Sequence, residues 1–157
     1  HLHNDHCGSL SQLILYLWFI YGKKTNIITK CKNIKTYLEI TGTTEEAYEI
    51  TDRYKDLIFI KTEHVKELDC YGFRIKIKDR DIVYTGDTKN FDSFLEYMNG
   101  VTDLYIDVSK NGGVHIKFEE IIPLLTKIKR NGTNIYLMHI DDYEYINKLN
   151  NGQFNFA

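Results

Sequence analysis

The chain predicts an α/β fold on three observations. Short β-branched, apolar runs alternate with stripes of helical period. Glycine and polar turns separate them, and neither internal repeats nor low-complexity linkers interrupt the alternation. Leu10, Leu13, Ile14, Leu17, Trp18 and Tyr21 form the first helical stripe, with Ser9 at its N-cap and Gly22-Lys23-Lys24 as its stop. Asn26 to Ile28 reads as a short strand, and Ile34 to Ile40 as a helix that Gly42 ends. Thr43-Thr44-Glu45-Glu46 has the form of a capping box and predicts a third helix running toward Tyr54.

Leu57 to Lys61 is apolar and β-branched, hence a strand, and it delivers His64 just beyond its end. Phe73, Ile75 and Ile77 alternate with Arg74, Lys76 and Lys78, so Gly72 to Lys78 and Asp81 to Thr85 form a hairpin turned at Lys78-Asp79-Arg80-Asp81. Phe91 to Met98 reads as helical and Leu104 to Val108 as extended. Lys117 to Lys129 is helical, with Phe118, Ile121, Ile122, Leu125 and Ile128 on one stripe and Pro123 near its start. Thr133 to Met138 is a strand ending at His139.

With 157 residues, 43% of them hydrophobic, the chain can bury the core of a single domain spanning 1–157. A net charge of -2 demands no polyanionic partner, and the basic residues Lys23, Lys24, Lys127, Lys129 and Arg130 are scattered among acids. The longest apolar run, Leu13 to Tyr21, falls short of the ~20 residues that cross a bilayer. Cys7, Cys31 and Cys70 are odd in number and lack CxxC spacing, which suggests reduced thiols and a cytoplasmic setting.

The chemistry concentrates in His1-Leu2-His3-Asn4-Asp5-His6. Three imidazoles and a carboxylate this close repel one another if protonated, whereas neutral imidazole and carboxylate are ordinary ligands for zinc and similar ions. His64, Asp87, His115 and His139 are further candidates, each beside a strand end or in a loop, where strands fix geometry and loops leave access.

His1 to Leu10, HLHNDHCGSL, resembles the HxHxDHxGGL signature of the metallo-β-lactamase superfamily. Tyr84-Thr85-Gly86-Asp87-Thr88 resembles its GDT motif, and Leu137-Met138-His139-Ile140 its strand-end histidine. His64 followed by Tyr71-Gly72-Phe73-Arg74-Ile75 is similar to the ribonuclease Z-like branch. The resemblance implies an αββα sandwich lacking the N-terminal strands of its first sheet, because the chain begins on a would-be ligand. It also implies two divalent metal ions, zinc first, with manganese or iron as alternatives. His1, His3 and His64 would hold one, Asp5, His6 and His139 the other, and Asp87 would bridge them.

By the same resemblance His115, after Gly112-Gly113-Val114, and Asp5 are the catalytic candidates. His115 would act as a general acid outside the metal shell. In place of the branch's usual His-Glu pair stands Ile106-Asp107-Val108-Ser109, so the acid that would orient His115 is either missing or replaced by Asp107. The segment between His6 and His64 is too short for a tRNA-gripping arm. The spacing from Asp107 through His115 to His139 looks closer to small bacterial and phage relatives, including the anti-Pycsar cyclic-nucleotide phosphodiesterases, which are homodimers.

The expectation is therefore a metal-dependent phosphodiesterase acting on a small phosphodiester such as a cyclic nucleotide, without extended nucleic acid or membrane as partner. A lactone- or other carbonyl-cleaving hydrolase, an RNA-processing nuclease, and an inactive fragment or binding module are the alternatives.

Overall fold

The computed structural model describes residues 1–157, which divide into two compact units, His1–Lys55 and Asp56–Ala157. No helix is long and apolar enough to cross a membrane.

The first unit contains a helical turn α1 (Asn4–Cys7), α2 (Leu10–Tyr21), β1 (Thr25–Ile28), α3 (Ile34–Ile40) and β2 (Tyr48–Thr51). Ser9 occupies the N-cap of α2, but its hydroxyl makes no capping bond. At the other end Gly22 adopts φ 60°, and the N–H groups of Gly22 and Lys23 close on Trp18 and Leu17. That left-handed residue is the reason a glycine ends this helix. Ile14, Ile27, Ile34, Leu38, Ala47 and Tyr48 are the buried centre of the unit.

The third helix expected from Thr43 toward Tyr54 does not form. A single 3₁₀ turn, Glu45–Ala47, is followed by β2, which pairs in parallel with β1 from Thr25↔Tyr48 to Ile28↔Thr51. The capping box does not form: Thr43 Oγ1 is buried against Ser11 Oγ at 2.7 Å, and Thr44, with no side-chain capping bond, stands at the N-cap of the 3₁₀ turn. Aromatic and β-branched Tyr48, Ile50 and Thr51 then suit the strand ladder better than a helix.

The second unit is built on a six-stranded sheet ordered β3-β4-β5-β6-β7-β8, comprising Leu57–Lys61, Tyr71–Ile77, Arg80–Tyr84, Asp103–Asp107, Asn134–Met138 and Asn155–Phe156. The hairpin turns more tightly than the alternation suggested. Ile77 pairs directly with Arg80, and Lys78 takes φ 56°. Phe91 to Met98 yields only a 3₁₀ segment, Asp92–Tyr97, whereas α4 (Phe118–Arg130) forms as expected, with Pro123 inside it. The structure adds α5 (Tyr143–Asn150), whose N-cap Asp142 accepts from Tyr145 N at 3.0 Å.

Side chains alternate across this sheet. One face buries Ile60, Val83, Leu104, Ile106, Ile135 and Leu137, and the buried Phe118, Leu125 and Ile146 of α4 and α5 belong to the same core. The other face carries Phe59, Phe73, Tyr84, Tyr105 and Tyr136 directly opposite one another on five successive strands. Phe73 stacks on Tyr84 at 5.1 Å and Tyr105 on Tyr136 at 4.6 Å, pairs of the kind that fix strand register.

Strand direction positions the site. β5, β6 and β7 run parallel, and β3, antiparallel to an antiparallel neighbour of β5, runs with them. The C-terminal ends of all four strands therefore lie along one sheet edge.

Two positions test this frame. A methyl group on Gly72 would meet the carbonyl oxygens of Thr85 and Tyr84 at 2.5 Å and Phe94 at 2.7 Å. Gly72→Ala is expected to lower the urea midpoint by the equivalent of about 1–3 kcal/mol, the usual cost of overpacking. Asp103, nearly buried, is held below the usual carboxylate range, first by the Arg80 guanidinium, which donates to it at 2.9 Å. A carboxyl whose folded pKa is depressed contributes stability present above its unfolded pKa of ~3.9 and lost as pH falls through the lower folded value. Asp103→Asn should remove that acid limb, so denaturation midpoints of variant and parent converge as pH falls below about 4.

Candidate active site

His64, Asp87, Asp107 and His139 sit at or just beyond the C-terminal ends of β3, β5, β6 and β7, and His115 follows in the loop between β6 and α4. Asp87, 2% exposed, is carried by the Tyr84–Thr88 turn. There Gly86 adopts φ 58°, a conformation that favours glycine, and a Cβ added to it would meet the Tyr71 carbonyl oxygen at 3.0 Å. Thr62 Oγ1 donates to the Asp87 carbonyl at 3.1 Å and steadies the turn.

His64 is 5% exposed, and its Nδ1 lies 2.8 Å from the Val114 carbonyl. A carbonyl can only accept, so Nδ1 carries the proton and Nε2 of the neutral ring presents a lone pair. That Nε2 is 3.6 Å from Asp87 Oδ2, and His139 Nε2 approaches the same oxygen at 3.6 Å. His139 holds φ 57°, a left-handed backbone outside glycine that turns its ring back at the end of β7.

Separations of 3.6 Å exceed a hydrogen bond but approach the ~3.4 Å edge of a tetrahedron built on ~2.1 Å metal–ligand bonds. Imidazole lone pairs gathered around a buried carboxylate also favour a cation between them. This donor set fits a divalent metal.

His115 occupies a different position in the cluster. Its Nδ1 is 2.9 Å from Asp107 Oδ2, its ring stacks on His139 with centroids 4.4 Å apart, and His64 lies 5.0 Å away. Asp107 is fully buried, and its Oδ2 also accepts the Thr88 N–H at 3.0 Å. Burial pushes its carboxyl up to about 6, while the Thr88 N–H and His115 pull it down. Asp107 is thus the acid that orients His115. Each of Asp87, Asp107, His115 and His139 offers a donor atom within 4.8 Å of the others.

The loop is closed at its base. Ser109 Oγ accepts the Gly112 N–H at 2.7 Å, and Ser109 N donates to Ile116 at 2.8 Å. Both Gly112 and Gly113 take positive φ, which sets the path of the chain into His115.

The other expected ligands, His1, His3, Asp5 and His6, lie in the first unit. Their segment is helical in part, because Asn4–Cys7 makes a turn closed by His6 and Cys7 N–H groups on the His3 carbonyl. The turn gathers the imidazoles: His1 is 4.6 Å from His3 and 4.2 Å from His6 between ring centroids, and Asp5 Oδ2 is 3.4 Å from His6 Nε2. Tyr37 Oη anchors the turn by donating to the Cys7 carbonyl at 2.6 Å. The supporting Tyr37, Thr62, Thr88 and Val114 contacts carry no sequence signal, since two of them use backbone atoms and the others use common side chains.

Solved structures with the same architecture define the class. The chain is similar to the metallo-β-lactamase fold protein YhfI from Bacillus subtilis, with a TM-score of 0.72 and 20% identity over 100% of this chain and 72% of that one. It is also similar to an isothiocyanate hydrolase from Delia radicum gut bacteria, with a TM-score of 0.67 and 12% identity over 98% of this chain and 69% of that one. The fold is that of the metallo-β-lactamases. Residues 1–157 match the family model described as anti-Pycsar protein Apyc1, and the chain belongs to that family. No curated protein sequence matches it.

The buried carboxylate gives the site its test. Asp87→Asn should lose bound zinc on dialysis that the parent chain survives, read as metal per chain by elemental analysis, while retaining its native circular dichroism.

Proposed function

We propose that this chain is a dinuclear metal-dependent phosphodiesterase of the ribonuclease Z-like branch, acting on a small phosphodiester such as a cyclic nucleotide. The observation that carries the reading is the Asp107–His115 contact beside His64, Asp87 and His139. Membership of the anti-Pycsar family supports the cyclic-nucleotide substrate.

By the motif order, His1, His3 and His64 would hold one ion, Asp5, His6 and His139 the second, and Asp87 would serve both. Zinc suits this set of nitrogen and oxygen donors, and manganese and iron share it. Bound divalent ions supply an acidified water as nucleophile and positive charge for the phosphate oxygens. As the P–O bond to the sugar breaks, the leaving oxygen takes a proton from His115 Nε2. Asp107 holds Nδ1, which aims Nε2 outward and offsets the charge of the protonated ring. Asp5 is the proposed acceptor of the proton lost by the attacking water. The enzyme is proposed to work as a cytoplasmic homodimer.

Leaving-group chemistry tests the role of His115. His115→Ala is expected to keep its metal but hydrolyse cyclic mononucleotides ~10²- to 10⁴-fold more slowly, the usual worth of a general acid. Hydrolysis of bis(p-nitrophenyl) phosphate, whose leaving group needs no proton, should fall far less. Equal losses on both substrates would remove His115 from that role. Turnover of lactones or cephalosporins with no phosphodiester cleavage would replace the reading with a carbonyl hydrolase.

A further inference from the structure

A second set of contacts joins the two loops that carry His115 and His139. Lys110, next to the Ser109 base of the His115 loop, donates its backbone N–H to Asp141 Oδ1 at 2.8 Å. Its Nζ pairs with Asp142 Oδ2 at 2.7 Å and lies 5.0 Å from the centre of the Tyr145 ring. Asp141 and Asp142 lie two and three residues after His139 in the chain, and Asp142 also caps α5 through Tyr145 N. One side chain thus spans from the start of the first loop to the end of the second, while His115 and His139 stack 4.4 Å apart with ring planes 21° from parallel.

We infer that Lys110, through Asp141 and Asp142, is a positioning residue that fixes His115 against His139. The ion pair is partly exposed, at 41% and 35% of the two side chains. Pairs of that kind add little to global stability, so the contact acts on the spacing of the two loops and not on whether the chain folds. Lys110 touches neither ring and acts only through the backbone it restrains.

The inference rests on the proposed activity only for its kinetic arm. The first readout is the imidazole ¹⁵N and ¹H spectrum of the full chain without added metal. Lys110→Ala should shift the His115 and His139 resonances, and Lys110→Arg should restore them. Lys117→Ala, which removes the exposed pair with Glu120 on the same stretch of chain, should leave them unchanged. Asp142→Asn keeps a capping residue for α5 but loses the ion pair, so it should reproduce the shifts in a folded protein. In turnover of a cyclic mononucleotide, Lys110→Ala should lower kcat by about tenfold with KM within about twofold, as for a misplaced catalytic group.

Unchanged imidazole resonances in both Lys110→Ala and Asp142→Asn would overturn the inference, as would equal shifts in Lys117→Ala. A parent chain without phosphodiester turnover would refute the proposed function and leave the spectra to decide the role of Lys110.

Discussion

The fully buried carboxylate of Asp107 is the constraint on which the second unit's site depends. Burying such a group is costly unless donors surround it. Here they are the Thr88 N–H, from the turn that carries Asp87, and His115. The backbone N–H of Asp107 also donates to Thr85 Oγ1 at 3.0 Å. Both side-chain bonds fall on Oδ2, and together with the backbone bond they tie the end of β6 to the Asp87 turn and to the His115 loop. Burial raises its pKa to about 6, and the Thr88 N–H and His115 work against that rise.

The remaining geometry follows from strand direction. Four strands pointing the same way deliver His64, Asp87, Asp107 and His139 to one edge, although they are far apart in the chain. The structure accepts local strain to complete the arrangement. His139 bends back in a left-handed conformation, and Gly86 and Gly112 take backbone angles that a side chain would resist. The row of aromatic residues on one face and the apolar core on the other hold the strands in register, so a slip of one residue would exchange the two faces.

The first unit makes its own contribution. Its histidine-rich segment is ordered by a single helical turn and by Tyr37, a residue of α3 that anchors the Cys7 carbonyl. Imidazoles within 4.2 to 4.6 Å of one another are thereby assembled from residues adjacent in sequence, which asks little of the longer-range fold.

The sequence by itself determined the alternation of elements, the strands ending near His64, Asp87 and His139, the long helix α4, and the candidate site residues, because strand and helix periods and dense His/Asp spacing are local properties. It left open whether Asp107 replaces the acid that orients His115, and the 2.9 Å contact in the folded chain decided it. Tertiary structure decided what depends on distant partners. Tyr48 to Thr51 found β1 as a partner, so β2 stands where a helix was expected. Asp107 met His115 only when β6 and its loop were set in place, and Val114 chose the tautomer of His64 through a backbone carbonyl. Lys110 found Asp141 and Asp142 across two loops. Contacts of this kind are absent from the local pattern because any residue can supply the backbone atoms, and the partners become neighbours only after the sheet has formed.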